Sequence, residues 1–215
     1  RWVVDVILIG DSFSKDETVK IAANENKVIV LQRTFDNFAA QKNFAISQAK
    51  NDWVTIFDVD EEVTQALTDE ILDIAQNPKA DAYFVRRDYY FMGKFIKYSD
   101  VGKEYILRFF NKKHCSYNNN LVHELLEVNG TTKKLKNSLK HHTYRSFDHF
   151  TSKTYQYSKL QAEMLYEKGT KPTFYHFLFR PFYRFWNQYL FQLGILDGKE
   201  GFILAYVSAF GVFKR

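Results

Sequence analysis

Asp58-Val59-Asp60 is the local signal with the most chemical content in this sequence. Two carboxylates two positions apart, at a strand end where the chain turns, can face one pocket. Hard oxygen donors of this kind hold Mg2+ or Mn2+, and such an ion neutralises a diphosphate. The triplet alone is weak. Its context strengthens it, because it follows the strand-like run Trp53-Val54-Thr55-Ile56-Phe57 and precedes Glu61-Glu62. The competing reading is a solvated acidic turn that caps the next helix. Asp11 closes another apolar run, Val3 to Ile9, at Gly10-Asp11-Ser12. A carboxylate in that position can accept ribose hydroxyls. Asp16 reads as a plain helix N-cap. Cys115 has no His or Asp arrangement around it in sequence that singles it out as a nucleophile.

These residues need elements to position them. Val3 to Ile9, Val28 to Leu31 and Trp53 to Phe57 read as buried strands bounded by turn residues. Between and after them, helices are expected from Asp16 to about Asn24, from Asn37 to Ala49, and around Leu67, Ile71, Leu72 and Ala75. Strand and helix in alternation predict an α/β fold with a mostly parallel sheet and right-handed crossovers. Such sheets place ligands at the carboxyl ends of the strands, where Asp11, Asp58 and Asp60 all fall. After residue 80 the pattern changes. Ala82 to Val85 and Tyr105 to Phe110 read as strands, and Leu125–Val128 with Leu135–Lys140 as a hairpin around Asn129-Gly130. Ser146 to Lys168 reads as a helix with a broad apolar stripe, followed by a break at Gly169 to Pro172.

Composition narrows the classes. The chain has 215 residues, 46% hydrophobic and 26% charged, a globular balance that excludes disorder as the main state. One Cys excludes an intrachain disulfide and a Cys-based zinc site, and fits a reducing, cytoplasmic compartment. The net charge of +5 suits contact with anionic lipid or phosphorylated ligands. Phe 21, Tyr 14 and Trp 3 are the anomaly, and the excess is heaviest after residue 145. Residues 174–215 mix these rings with Lys and Arg, a pattern that predicts a peripheral helix in a membrane interface or packing on the core or a second subunit. No apolar stretch is long enough to span a bilayer. Neither an RNP-like nor a helix-turn-helix pattern is present, and no nucleic-acid partner is expected.

The strings DVILIGDSFSKDET, FAAQKNFAISQAKNDWVTIFDVDEE, LVHELLEVNG and LKHHTYRS, in this order, resemble family 2 glycosyltransferases with the GT-A fold. The branch most similar is the β-glucosyltransferases of lipopolysaccharide core assembly, and the similarity runs from about residue 3 to residue 215, through GILDGKEGF. The resemblance implies a GT-A three-layer α/β/α mixed sheet over 1–145 and an aromatic-rich helical extension over 146–215. It implies a nucleotide-sugar donor, with UDP as the expected nucleotide, and a glycan or lipid-linked acceptor. Asp11 then contacts the nucleoside, Lys42 a phosphate, and Asp58 the ribose or the water shell of the metal. Asp60 holds Mg2+ or Mn2+, completed by His141. Glu124, in Val122-His123-Glu124, is the general base, with His123 orienting it or touching acceptor. Arg87 and Arg108 match arginines that meet phosphate or acceptor. His123, His141 and both arginines also have ordinary readings, as hydrogen-bonded structural histidines and surface ion pairs. The family's first strand and helix are absent ahead of Arg1-Trp2, so a preceding segment is expected in the natural protein.

The chemistry asks for this set. Inverting transfer is an in-line displacement needing one carboxylate base, and a divalent ion stabilises the leaving diphosphate. The expected setting is the cytoplasm, at the inner membrane's cytoplasmic face, with an oligomer compatible. Two other readings remain: a non-catalytic GT-A-like module binding a glycan or partner at a membrane, and a nucleotidyltransferase. The latter would want a Gly-rich basic phosphate loop, which these residues lack.

Overall fold

The computed structural model describes residues 7–99, 101, 104–118, 125–144 and 146–215. The elements run β1 (Ile7–Asp11), α1 (Thr18–Ala23), β2 (Val28–Gln32), α2 (Phe38–Gln48), β3 (Trp53–Thr55), β4 (Glu61–Val63), α3 (Gln65–Gln76), β5 (Ala82–Phe91), β6 (Lys94–Phe95), β7 (Tyr105–Asn111), β8 (Cys115–Tyr117), β9 (Leu126–Val128) and β10 (Thr132–Tyr144). Helices follow: α4 (Phe147–Glu167), α5 (Arg180–Trp186) and α6 (Lys199–Lys214), with wide π-helical turns at Tyr175–Phe179 and Asn187–Phe191 on either side of α5. This is the mixed α/β architecture of the GT-A fold with a helical C-terminal part.

The chain divides into two compact units. One holds the residues up to Phe57, Gln65–Val85 and Tyr105–Asn137; the other holds Asp58–Thr64, Arg86–Glu104 and Ser138–Arg215. In the first, β1 and β2 pair in parallel with Asp11 opposite Gln32. Asp16 accepts a hydrogen bond from the Thr18 N–H at 3.0 Å, so it sits one residue ahead of the N-cap Glu17 rather than at the cap itself. Asn37 caps α2 by accepting from the Ala40 N–H at 2.8 Å. β3 pairs antiparallel with β7, Trp53 opposite Asn111. The mostly parallel pairing expected from the alternation holds between β1 and β2 but not at β3, because the third strand takes its partner from the later half of the chain. Ala39, Ile46, Ala82, Phe110, Cys115 and Tyr117 form the core of this unit. Burial pushes the Cys115 thiol up to about 11, with the Asp81 carboxylate adding to it.

The expected hairpin around Asn129-Gly130 is corrected. β9 pairs with β8, Cys115 opposite Val128, while β10 belongs to another sheet. Asp81 explains the parting of the two strands. Its carboxylate accepts from both the N–H and the hydroxyl of Thr131, at 2.8 and 3.0 Å. A Cβ at Gly130 would lie 2.4 Å from the same carboxylate. The turn is thus fastened to Asp81 instead of closing a two-stranded ribbon.

In the second unit β4 pairs antiparallel with β10: His141 lies opposite Glu61, Lys140 opposite Glu62 and Leu139 opposite Val63. Tyr89, Phe91, Ile96, Phe150, Leu204 and Val207 make its core. Ser146 caps α4, accepting from the His149 N–H at 3.1 Å. α6 crosses α4 closely, since a Cβ on Gly211 would meet the Thr154 methyl at 2.7 Å. Gly201 packs still tighter: its Cβ would stand 1.8 Å from the Gly194 carbonyl oxygen, so only glycine fits there. The Asp197 carboxylate accepts from the Lys97 and Tyr98 N–H groups at 3.1 and 3.0 Å, tying the α6 entry to the loop after β6.

Candidate functional site

The Asp58–Thr64 segment makes a turn closed in both directions. The Glu61 N–H donates to the Asp58 carbonyl at 3.0 Å, and the Asp58 N–H donates to the Glu61 carboxylate at 3.1 Å. The Glu61 side chain is fully buried, and the Arg87 guanidinium of β5 stands 3.8 Å from it. Arg87 also pairs with Glu104. Burying a carboxylate is costly unless it is paired and hydrogen-bonded, and both conditions hold here. Val59 is left fully exposed at the tip.

Asp60 presents a partly exposed carboxylate 3.3 Å from His141 Nε2. The β4–β10 register brings them together, and the His142 N–H donates to the Asp60 carbonyl at 2.8 Å. The Thr143 hydroxyl lies 3.0 Å from His141 Nδ1. Burial lowers the affinity of His141 for a proton, the Arg87 charge lowers it further, and Asp60 and Glu61 oppose them. The net direction favours a neutral imidazole, the form that ligates metal. Glu62 pairs with Lys140 at 2.7 Å and His142 at 3.0 Å. The Lys140 and His142 hydrogen bonds hold its carboxyl below the usual range. A cleft of about 320 Å³ adjoins these groups, lined by Asp60, Glu61, Glu62, Tyr90, His142 and Tyr144.

Among the described residues no group of three or more His, Cys, Asp or Glu is arranged to hold a metal. The Asp60–His141 pair offers one oxygen and one nitrogen donor on the same side of the turn. Two protein donors fit an ion that keeps several waters and takes the rest of its ligands from a diphosphate, as Mg2+ commonly does.

Other expected site residues belong to the first unit. Asp11 is buried at the end of β1, where its carboxylate accepts from the Ser14 N–H at 3.1 Å and from Gln32 Nε2 at 3.1 Å, besides the Ser14 hydroxyl. The Ser14 and Gln32 bonds hold it ionised below the ordinary Asp range, against the effect of burial. Lys42 rides on α2 with its ammonium 5.1 Å from the Tyr117 ring centre. Its neighbour Asn43 both donates to and accepts from the Tyr117 backbone, each at 2.9 Å, which fastens β8 to α2. Arg108 is buried in β7. Asp11, Lys42 and Arg108 belong to one unit; Asp58, Asp60, Arg87 and His141 belong to the other, and those four are brought together. His123 and Glu124 lie outside the described residues. The residue that reading the sequence missed is Glu61. Its only signal was its place directly after the D-x-D, shared in kind with Glu62, and the two differ through partners on β5 and β10.

Residues 3–126 match the family model for glycosyl transferase family 2. Uncharacterized glycosyltransferases of Rickettsia felis and Rickettsia typhi are 26% and 27% identical, over 99% of this chain and 79% and 77% of theirs. A lipopolysaccharide core biosynthesis glycosyltransferase, LpsC of Rhizobium meliloti, is 25% identical over 97% of this chain and 83% of its own length.

Proposed function

Because the chain belongs to glycosyl transferase family 2, we propose that it transfers a hexose from a UDP-sugar, with inversion, to a glycan or lipid-linked acceptor in cell-envelope polysaccharide or lipopolysaccharide synthesis. The observation that carries this reading is the Asp60 carboxylate 3.3 Å from His141, on a turn held in shape by buried Glu61. The likeness to LpsC supports the acceptor class.

The roles follow from the chemistry. Glu124 takes the proton of the acceptor hydroxyl as its oxygen attacks the anomeric carbon, while the bond from that carbon to the diphosphate oxygen breaks. Attack opposite the leaving group inverts the centre, and no second carboxylate is required. Mg2+ or Mn2+ held by Asp60 and His141 would neutralise charge on the departing diphosphate. Asp58 faces the ribose or that ion's water shell, Asp11 contacts the nucleoside and Lys42 a phosphate. His123 orients the base or meets the acceptor. Arg87 keeps the D-x-D turn in place through Glu61, and Arg108 serves the acceptor side. Residues 1–145 constitute the catalytic domain and 146–215 its extension, working at the cytoplasmic face of the inner membrane.

Calorimetric titration with UDP and UDP-glucose, with and without Mn2+, tests the donor site. Binding should require Mn2+ and be lost in Asp60→Asn; equal binding by that variant overturns the metal role. Glu124→Gln should keep donor binding and lose roughly 10²–10⁴-fold in transfer rate. Transfer at the normal rate by that variant would remove Glu124 as the base.

A further inference from the structure

From Phe174 to Leu196 the chain exposes what it buries elsewhere. Phe174, Tyr175, Phe179, Phe182, Tyr183 and Phe191 are each more than half exposed, Phe191 at 76%. An apolar cleft of about 720 Å³ lies along this segment, lined by Tyr175, Phe179, Phe182, Trp186, Leu190 and Phe191. The aromatic surface carries on into α6. Phe185 meets Phe202 at 5.7 Å between ring centres, and Phe177 meets Phe213 at 6.0 Å. Phe202, Tyr206, Phe210 and Phe213 then continue it as an exposed stripe. A contiguous surface of this kind marks an interaction site.

Charge selects the occupant. From Lys168 to Leu196 the sequence carries Lys168, Lys171, Arg180 and Arg184 and no Asp or Glu. Arg180 and Arg184 are one turn apart on α5 and share a face. The ring contacts at 177–213 and 185–202 run α5 and α6 in opposite directions, which brings Arg215 to the Arg180 end. Consistent with that, burial and then the charges of Arg180 and Arg184 lower the proton affinity of Arg215. Lys214 sits 5.4 Å from the Phe210 ring centre. Three guanidinium groups thus border an aromatic surface. A bilayer interface offers the matching pair of layers, phosphates beside acyl chains, and long basic side chains reach from one to the other. No described helix is long and apolar enough to cross a membrane. The 16 residues of α6 extend only about 24 Å, so the helices would lie on the surface.

We propose that the exposed face of Phe174–Phe191 and α6 seats on an anionic phospholipid monolayer, with its rings at the acyl boundary and Arg180 and Arg184 on lipid phosphates. This deepens the reading above, from which it takes only the location of the acceptor.

Co-sedimentation of the full chain with vesicles tests it. Vesicles of phosphatidylethanolamine with phosphatidylglycerol should bind the protein at low salt and release it at high salt, and phosphatidylcholine vesicles should not bind it. Binding should shift Trp186 emission to the blue, a shift that Trp186→Phe removes. Each arginine should contribute on the order of fivefold, so Arg180→Glu with Arg184→Glu should lose more than roughly tenfold. Phe182→Ser with Phe191→Ser should also lose binding, with unchanged circular dichroism. Equal binding to phosphatidylcholine, or insensitivity to both pairs of substitutions, overturns the proposal. So does a dimer that buries Trp186 without lipid, which would assign the face to a second copy. UDP titration on the same samples separates the two readings: the arginine variant should bind donor normally, and Asp60→Asn should bind vesicles normally.

Discussion

Within Asp58–Thr64 the carboxylates of Asp60, Glu61 and Glu62 each meet a partner from their own chain: Glu61 has Arg87 and the Asp58 N–H, Glu62 has Lys140 and His142, and Asp60 has His141. Between Lys168 and Leu196 there are rings and cations, and the local sequence provides no counter-charge. The first region is settled internally, so its geometry is in place before any ligand arrives. Preorganised charge of that kind is what a transfer reaction requires. The second leaves apolar area facing outward, and covering apolar area is favourable. The difference separates the proposed donor site, ordered by its own chain, from the face proposed to seat the protein on lipid.

The largest expected effect breaks the first side of the comparison. Arg87→Ala leaves the buried Glu61 carboxylate without its cation and should destabilise the protein by about 3–5 kcal/mol in denaturant unfolding. Adding Glu61→Gln should recover part of that loss. An unchanged midpoint in Arg87→Ala would mean that the turn is not held by internal neutralisation.

A smaller effect sharpens the second side, at an ion pair on the inner face of the C-terminal helices. Burial pushes the Glu200 carboxyl up, but the Lys94 hydrogen bond at 2.9 Å and the Lys94 charge outweigh it, and the net shift is downward. A lowered folded value means that the pair stabilises above the ordinary carboxylate range, and that this is lost as pH falls through the lowered value. Glu200→Gln should flatten that acid limb and cost about 1 kcal/mol at neutral pH. An acid limb identical to the parent's would remove the pair from the account.

The smallest effect is on the outer face. Phe191→Ala should change stability by no more than about 0.5 kcal/mol, as for other exposed positions. Phe110→Ala, at a fully buried ring in the first core, should cost about 3–5 kcal/mol. A large loss at Phe191 would show that its ring serves folding rather than an external surface.

What could be read from sequence was what depends on near neighbours. The helix expected over Ser146 to Lys168 forms at Phe147–Glu167, because a capping Ser and a helical stripe lie in one stretch. The strand expected over Ala82–Val85 runs instead to Phe91. Arg86, Arg87 and Asp88 interrupt its apolar pattern, yet Arg86 pairs with Asp88 at 3.0 Å and Arg87 with Glu61, so the charges do not end the strand. The Asp58-Val59-Asp60 triplet is visible in sequence because its two carboxylates are local. The roles of Glu61 and of the Asp11 partner Gln32 depend on strand register, and register is decided by distant residues. The hairpin expectation at Asn129-Gly130 failed for the same reason, since Asp81 lies far away in sequence.

Cys115 is the only sulfhydryl of the chain and lies buried in the first core, where it stays protonated at neutral pH. Thiolate is the reactive form. A cysteine introduced at an exposed position, Val59 at the turn tip or Phe191 on the aromatic face, would therefore be the single group that a maleimide dye or nitroxide modifies. The native sequence thus already serves as the background for site-specific spectroscopy, and each region could be followed by its own probe without first deleting a natural one.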